Sequence, residues 1–279
     1  MLERLLGSTW QARIRRLSRV RWVTKYRVLR RGRIRLRDDL RQHLAYLAWD
    51  PEIESFTFDI DNRTELAEFV ATLTGKPADQ VARWVGEPAV EPWFNERWAN
   101  QVRWRFDVKR RLRPGHRYVA WALVRAIKPR LVVETGVYQG IGSVILLAAL
   151  ARNEADGCPG KLLSIDIDPT TGYVVPSELQ APWKLVHGST IDVLENLLAG
   201  AKVDILFHDS ADPMQYHEFI TALEHAADRI FLVCGGIWGD EISVLQSVCR
   251  ERGGRYFEFQ VLPRNHFFVP GRIGVGVFP

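Results

Sequence analysis

The sequence has few cysteines and no long hydrophobic run. Three cysteines occur in 279 residues, and they form neither a C-x-x-C pair nor a Cys/His cluster with the spacing of a zinc site. This excludes a disulfide-stapled fold and favours a reducing, cytoplasmic location. No apolar stretch approaches the roughly 18 residues that span a bilayer, and the N-terminus lacks the apolar core of a signal peptide. We therefore expect neither export nor a membrane span.

The composition is that of a folded globular protein, but its charge is unevenly distributed. Hydrophobic residues make up 47% of the chain and charged residues 25%, which excludes disorder as the main state. Residues 1–41 hold 14 Lys or Arg against three acidic residues, a net charge of +11, whereas the remainder has a net charge of −6. Such a basic segment either contacts an anionic partner, such as RNA or lipid headgroups, or is a solvated or docked helix.

Residues 1–112 are predicted to form a basic, aromatic-rich and mainly helical region. Seven of the ten tryptophans precede residue 110. Apolar spacing, together with glycine and proline punctuation, predicts helices over 64–73, 77–85 and 93–106. Aromatic side chains of this kind serve equally well as a lid over a substrate or as an interface between subunits, so both roles remain open.

Residues 113–279 are predicted to form the second domain, in which short apolar runs alternate with helical patterns from residue 130 onward; this predicts βαβ units and a parallel sheet. The final two strands have no helix between them and predict a hairpin. The fold class is therefore α/β, with a Rossmann-like, seven-stranded, mostly parallel sheet, a C-terminal antiparallel β-hairpin and a helical N-terminal appendage. Strands are predicted at 131–133, 162–165, 184–186, 203–207, 230–233, 255–261 and 274–278. Helices are predicted at 118–127, 141–152, 190–199, 213–227 and 240–252, with a short helical segment in 175–181.

Polar clusters follow four of the predicted parallel strands. A glycine loop, ETGVYQGIGS, begins at Glu134 after the first strand, and Asp166 and Asp168 end the second strand. Segment 187–190 follows the third strand, and segment 208–210 follows the fourth. Open α/β sheets bind ligands at this edge. The loop has neither the G-x-G-x-x-G spacing nor the Lys-Ser/Thr of a phosphate loop, so alone it indicates either a cofactor site or a structural turn. An acid at the tip of the second strand either accepts ribose hydroxyls or caps a turn.

The phrases VVETGVYQG, LLSIDID and ILFHDS, in this order and spacing, resemble the class I S-adenosylmethionine-dependent methyltransferases, and among them small-molecule O-methyltransferases with an HDS segment after the fourth strand. The resemblance covers residues 115–279. It implies S-adenosylmethionine as cofactor, S-adenosylhomocysteine as product, and methyl transfer to a hydroxyl oxygen of a sugar, polyketide or other secondary metabolite. In this family the glycine loop holds the methionine part, the strand-two acid the ribose, and the loop after strand three the adenine. The cofactor residues that the resemblance implies are Glu134, Gly136, Val137, Tyr138, Gly140, Ser143, Asp166, Asp168, Gly188, Ser189, Thr190 and Asp209.

The acceptor side departs from the family pattern. Metal-dependent members hold a divalent cation with the Asp after strand four and an acidic pair after strand five. Asp209 matches the first position, but Gly235 and Gly236 stand where the pair is expected, and Asp240 and Glu241 come five residues later. Because hard cations need several oxygen ligands, a divalent metal is not expected. The candidate general bases, which would take the acceptor proton, are Asp209, His208 and His217.

Two other functions remain open from the sequence alone. The basic residues 1–41 are compatible with methylation of RNA, although nucleic acid is not the expected partner. The glycines on the acceptor side are compatible with a non-catalytic protein that binds S-adenosylmethionine or S-adenosylhomocysteine, or serves in an assembly. The sequence does not determine the acceptor, the choice between oxygen and nitrogen, or whether the chain forms a homo-oligomer.

Overall fold

The computed structural model describes residues 59–89, 114–210, 214–236, 240–264 and 271–279. The basic segment 1–41 and the predicted helix over 93–106 lie outside these residues. Among the described helices, none is long and apolar enough to cross a membrane.

The described residues form helices and strands close to those predicted. The strands are β1 (Asp59–Ile60), β2 (Leu131–Thr135), β3 (Lys161–Asp166), β4 (Trp183–His187), β5 (Val203–His208), β6 (Ala226–Gly236), β7 (Arg255–Gln260), β8 (Pro263–Arg264) and β9 (Arg272–Phe278). The α-helices are α1 (Arg63–Thr74), α2 (Ala78–Gly86), α3 (Tyr118–Ile127), α4 (Ile141–Ala155), α5 (Thr190–Leu198), α6 (Gln215–Glu224) and α7 (Asp240–Arg252). Short 3-10 helices cover Glu87–Ala89, Gly115–Arg117 and Ser177–Leu179.

Seven strands form one sheet in the order β4-β3-β2-β5-β6-β9-β7. The first five are parallel, and β9 lies antiparallel between β6 and β7. This confirms the predicted mostly parallel sheet with its C-terminal antiparallel hairpin. A two-stranded ribbon of β1 and β8 was not predicted, because strands of two residues leave no periodic pattern in a sequence.

Two predicted helical segments are shorter than expected. The helix predicted over 213–227 ends at residue 224, because Ala226 already pairs with Val203 at the start of β6. The segment 175–181 contains only a 3-10 turn. Pro176 and Pro182 bracket it, and proline cannot donate the backbone hydrogen bonds that would extend a helix.

The sheet has a hydrophobic core on each face. Neighbouring residues along β2 and β5 alternate between the two cores: Val132 and Ile205 belong to one, Val133 and Leu206 to the other. The first core is closed by α1 to α4, and the second by α5 to α7. This two-sided burial explains why the parallel strands are short continuous apolar runs in the sequence.

The described part of the N-terminal region packs into the first core. Leu66 and Val70 of α1 are buried with Trp121 of α3, and the Trp121 indole N–H donates to the carbonyl oxygen of Trp84 at 3.0 Å. Residues 59–89 therefore share a core with the sheet. The domain boundary near residue 112 stays a prediction, because residues 90–113 lie outside the described part of the chain.

A buried arginine links this region to the helices beside the sheet. Arg125 of α3 donates to both carboxylate oxygens of Glu87, at 2.7 and 2.9 Å, and also to Asn153 and Asp156. Its side chain is 4% exposed. The planar guanidinium donates hydrogen bonds in several fixed directions and so reaches all three partners at once. The single ammonium group of a lysine cannot do this.

We expect Arg125→Lys to lower the free energy of unfolding by about 2–4 kcal/mol, because the buried Asn153 and the half-buried Glu87 lose donors. The matched control is Arg83→Lys in the exposed Arg83–Asp79 pair, for which a change within about 0.5 kcal/mol is expected. Urea unfolding of both variants tests this. Equal effects would contradict a special role for the buried arginine.

Candidate functional site

The carboxyl ends of β2, β3, β4 and β5 surround a cleft of about 340 Å³. Eight of the twelve sequence-predicted cofactor residues line it: Gly136, Val137, Tyr138, Asp166, Gly188, Ser189, Thr190 and Asp209. The other four, Glu134, Gly140, Ser143 and Asp168, do not line the cleft.

The glycine loop packs tightly against the segment after β5. Gly136 has φ +82°, and a Cβ there would overlap the carbonyl oxygen of Asp209 and come within 2.7 Å of the Ser210 nitrogen. Backbone hydrogen bonds fix the approach, since Gly136 N–H donates to Ile165 at 2.9 Å and Asp209 N–H donates to Thr135 at 2.8 Å. Only glycine fits at position 136. Gly140, with φ +100°, makes the turn into α4.

Asp166 holds the glycine loop in place. Its Oδ2 accepts the backbone N–H groups of Val137 and Tyr138, at 2.8 and 2.9 Å, and its Oδ1 accepts that of Asp168 at 2.9 Å. Tyr138 has φ +51°, an uncommon conformation for a residue with a side chain. A carboxylate has about four acceptor positions, so three amides leave Asp166 about one for a ligand hydroxyl.

Asp168 stabilises a turn, and Ser189 precedes a helix. The Oδ1 atom of Asp168 accepts the backbone N–H and the hydroxyl of Thr170, at 2.9 and 2.7 Å, as in an Asx turn. Ser189 is the N-cap residue of α5 and also faces the cleft.

Glu134 lies beneath the glycine loop, and its side chain is buried. Both Ser143 and Ser164 donate their hydroxyls to Glu134 Oε2, at 2.6 and 2.7 Å. Burial raises the pKa of Glu134 to about 7, although the two serine hydroxyls lower it; the nearby charge of Asp209 raises it further. Glu134 and Ser143 therefore form a buried hydrogen-bonded pair that supports the glycine loop rather than lining the cleft.

Asp209 is the predicted catalytic residue that reaches the cleft. Its Oδ2 accepts a hydrogen bond from Arg117 at 2.8 Å, and its side chain is 36% exposed. Within the described residues, Oδ1 has no hydrogen bond. Arg117 lies in the 3-10 helix before α3 and is itself nearly buried. The ion pair thus holds the carboxylate through Oδ2.

A buried carboxylate on α6, Glu218, connects the walls of the cleft. Thr135 donates to its Oε2 at 2.5 Å, and His208 contacts the same oxygen through Nδ1 at 2.7 Å. The hydroxyls of Thr190 and Ser210 donate to Oε1 at 2.7 and 3.0 Å. Desolvation by burial raises the pKa of Glu218. These bonds lower it by more, and His208 makes the largest lowering contribution.

The two candidate histidines lie away from the cleft surface. His208 is 2% exposed, packs edge-on against Phe219 and is bonded to Glu218. His217 lies on α6 and does not line the cleft. The side chains of Asp240 and Glu241 lie outside the described residues, and the residues that are described contain no group of three His, Cys, Asp or Glu suited to a metal ion.

Residues 133–235 match the model of a family described as "Methyltransferase domain". The matched segment extends from β2 to the end of β6 and contains the whole cleft. The segment that forms the cleft is thus similar to a methyltransferase domain. A search of curated protein sequences found no match.

The chain is also similar to solved structures of methyltransferases. An O-methyltransferase from Bacillus cereus, in complex with SAH, has 14% sequence identity and a TM-score of 0.49, with 79% of this chain and all of that chain covered. The O-methyltransferase TomG from Streptomyces achromogenes, involved in tomaymycin synthesis and in complex with SAM, has 15% identity and a TM-score of 0.46. The coverage is 82% of this chain and 96% of TomG.

Three residues of this site were missed by sequence reasoning: Arg117, Ser164 and Glu218. Glu218 left a signal, because it shares a buried helix face with Gln215, Phe219 and Ala222. An acid on such a face needs a buried partner. Arg117 and Ser164 left no such signal in the sequence, because an arginine before a helix and a serine in a strand are common in any protein.

We expect Gly136→Ala to destabilise the protein by about 3 kcal/mol more than Gly200→Ala, because both glycines have positive φ but only Gly136 is in close contact. Gly200 has φ +75° and no atom near its Cβ position. Urea unfolding measures the difference, and titration with S-adenosylhomocysteine should show weakened binding for Gly136→Ala alone. Similar stability and binding in the two variants would contradict the close-packing argument.

The raised pKa of Glu134 predicts a stability difference that depends on pH. The ordinary pKa is 4.5 and the folded value about 7, so between these values the folded state binds more protons than the unfolded state. The wild-type protein therefore loses stability as pH rises through this range. Relative to wild type, Glu134→Gln should gain roughly 3 kcal/mol between pH 4.5 and 8, because glutamine does not titrate.

Urea unfolding across this pH range measures the difference, and Glu154→Gln, at an exposed position of α4, is the control. Parallel stability profiles for wild type and Glu134→Gln would show that Glu134 does not titrate in this range.

Proposed function

We propose that this protein is an S-adenosylmethionine-dependent methyltransferase that transfers a methyl group to a hydroxyl oxygen of a small molecule, with Asp209 as the general base. The observation that carries the proposal is the position of Asp209 at the cleft, with Oδ2 held by Arg117 and Oδ1 without a hydrogen bond among the described residues. A secondary metabolite as acceptor and a cytoplasmic location stay predictions.

The residues around the cleft fit the proposed cofactor. Gly136 brings bare backbone to the cleft wall, and Asp166 keeps about one acceptor position for a ribose hydroxyl. Ile167, whose side chain is exposed at the cleft, gives apolar surface suited to an adenine ring. The bound cofactor supplies an activated methyl group on a sulfonium sulfur.

Asp209 would act by accepting the proton of the acceptor hydroxyl. The exposed fraction of its side chain allows a hydroxyl to approach Oδ1 to hydrogen-bond distance, the first requirement of a general base. Arg117 holds the carboxylate in one orientation through Oδ2. Positioning of the hydroxyl supplies a further part of the rate, because it removes the entropic cost of bringing two reactants together.

The charge of the cleft supports a small-molecule acceptor over RNA. Its described lining includes the carboxylates of Asp166 and Asp209 and no Lys or Arg side chain. Phosphate-rich partners are bound through clustered Lys and Arg, which this lining does not offer. The basic residues 1–41, which motivated the RNA hypothesis, lie outside the described residues.

The first test of the proposed function is calorimetric titration with S-adenosylhomocysteine. We expect micromolar binding by the intact protein, loss of binding in Asp166→Ala and partial binding in Asp166→Asn, since asparagine keeps one oxygen for the loop amides. Asp192→Asn, at an exposed position of α5, is the control. No binding by the intact protein would overturn the cofactor assignment.

The second arm measures transfer from labelled S-adenosylmethionine to a panel of phenols and monosaccharides. Asp209→Asn should lower turnover roughly 100-fold or more, while its affinity for S-adenosylhomocysteine changes little, because asparagine cannot accept the proton. Cofactor binding without product from any acceptor would instead favour the non-catalytic hypothesis.

A further inference from the structure

A second cavity lies at the edge of the sheet opposite the cleft. This basal cavity, of about 440 Å³, lies between the segments 74–76, 126–130, 202–204 and 227–231, at the amino ends of β2, β5 and β6. The cleft lies at the carboxyl ends, about 17 Å away along the six residues of β5. The two share no described lining residue, so the basal cavity is separate from the proposed cofactor site.

Basic side chains determine the charge of the basal cavity. Four cations line it, each from a different segment: Lys76 after α1, Arg130 before β2, Lys202 before β5 and Arg229 in β6. Its described lining contains two carboxylates, those of Asp204 and Asp228, which leaves a net charge of +2. Cations that line one cavity repel one another, and a bound anion removes this repulsion.

The two carboxylates do not neutralise these cations by ion pairing. Asp204 Oδ2 accepts the backbone N–H groups of Arg130 and Leu131, at 2.8 and 2.9 Å, and so fixes the start of β2. Among the described residues, none of the four cations forms an ion pair with either carboxylate. The cations therefore keep most of their N–H donors for a ligand.

A bulge in β6 forms one wall of the basal cavity. From Ala226 to Phe231 the strand β6 advances by five residues, while its partner β5 advances by two. The extra residues interrupt the pairing with β5 and include 227–229, which line the cavity. Bulges redirect side chains and are common beside functional sites. This bulge places Arg229 at the cavity.

Arg229 is held in position at this wall. Its Nη2 donates to the carbonyl oxygen of Leu73 at 2.6 Å, and its guanidinium carbon lies 4.9 Å from the centre of the Phe231 ring. Within the described part of the chain, this hydrogen bond uses one of the five N–H donors of the guanidinium. An arginine that is already positioned loses little freedom when an anion binds to it.

We propose that the basal cavity binds a small molecule through a phosphate or diphosphate group. A phosphate monoester carries about −1.5 to −2 charges at pH 7 and three acceptor oxygens, so a single group can engage several of the four cations. A carboxylate offers one charge and two oxygens. The volume of the cavity lies in the range of small-molecule sites, roughly 300–1,000 Å³, whereas nucleic acids bind to extended basic surfaces.

The test is calorimetric titration of the full-length protein with pyrophosphate and with uridine diphosphate, neither of which contains adenosine. We expect binding of both, weakened roughly ten-fold in Lys202→Gln and further in the double variant Lys76→Gln/Lys202→Gln, because each lysine supplies a charge-assisted hydrogen bond. Both lysines are exposed and form no ion pair within the described residues, so these variants should fold.

The matched control is Lys161→Gln, at an exposed position at the amino end of β3 that does not line the basal cavity. Its affinity for both probes should change less than about twofold, because solvent and salt screen an exposed charge. Failure of wild type to bind either probe would overturn the proposal. Unchanged affinity in the double variant would place binding elsewhere, as at the basic residues 1–41, and would also overturn it.

Further ligands identify the chemical class. Tighter binding of uridine diphosphate than of pyrophosphate would support a phosphate ester as the ligand, and the reverse order would support free diphosphate. Citrate, which carries its charge on carboxylates, should bind roughly ten-fold more weakly, and equal affinity for citrate would overturn the phosphate assignment. Tighter binding of a single-stranded RNA, lost in the same variants, would overturn the small-molecule assignment.

Hydrogen exchange locates the bound anion in the wild-type protein. Pyrophosphate should slow amide exchange in the segment 226–231 and leave the glycine loop, 134–143, unchanged. Slowed exchange in the glycine loop alone would contradict the proposal. The inference does not depend on the proposed function, and failure of S-adenosylhomocysteine to bind would contradict only the latter.

Discussion

The buried carboxylate of Glu218 is the interaction on which the arrangement of the cleft depends. It joins Thr135 at the end of β2, His208 at the end of β5, Thr190 at the start of α5 and Ser210 after β5. A charge buried without hydrogen bonds is strongly unfavourable, so all four partners must be present together in the folded protein. One side chain of α6 thereby fixes the relative positions of three cleft walls.

The four carboxylates in and below the cleft have different environments and therefore different properties. Glu134 is buried with only two serine hydroxyls as donors, and its pKa rises to about 7. Glu218 is equally buried, but its hydrogen bond and electrostatic interaction with His208, aided by hydroxyl donors, hold its pKa below the ordinary value. Asp166 is occupied by loop amides and Asp209 is oriented by Arg117. Carboxylate groups thus serve as structural supports, as a ligand contact and as a candidate base, according to their surroundings.

The fold was predictable from the sequence to a large extent, because its signals are local. Buried parallel strands such as β2, β3 and β5 are short apolar runs, and the helices between them show regular apolar spacing. The antiparallel hairpin followed from two strands with no helix between them. The early start of β6 was missed, because its first residues are small or polar, like those at the end of α6. They become a strand only by pairing with Val203.

The sequence by itself determined the sheet, the glycine loop and the edge where the cleft lies, since chain order and strand direction bring the four polar clusters together. Eight of the predicted cofactor residues accordingly line the cleft. Only the tertiary structure decided which polar side chains face it and which support it. Glu134 and His208 lie below the surface, and Arg117 meets Asp209 across 92 residues of chain. Such pairings depend on how loops close and helices pack, and no local pattern of residues encodes them.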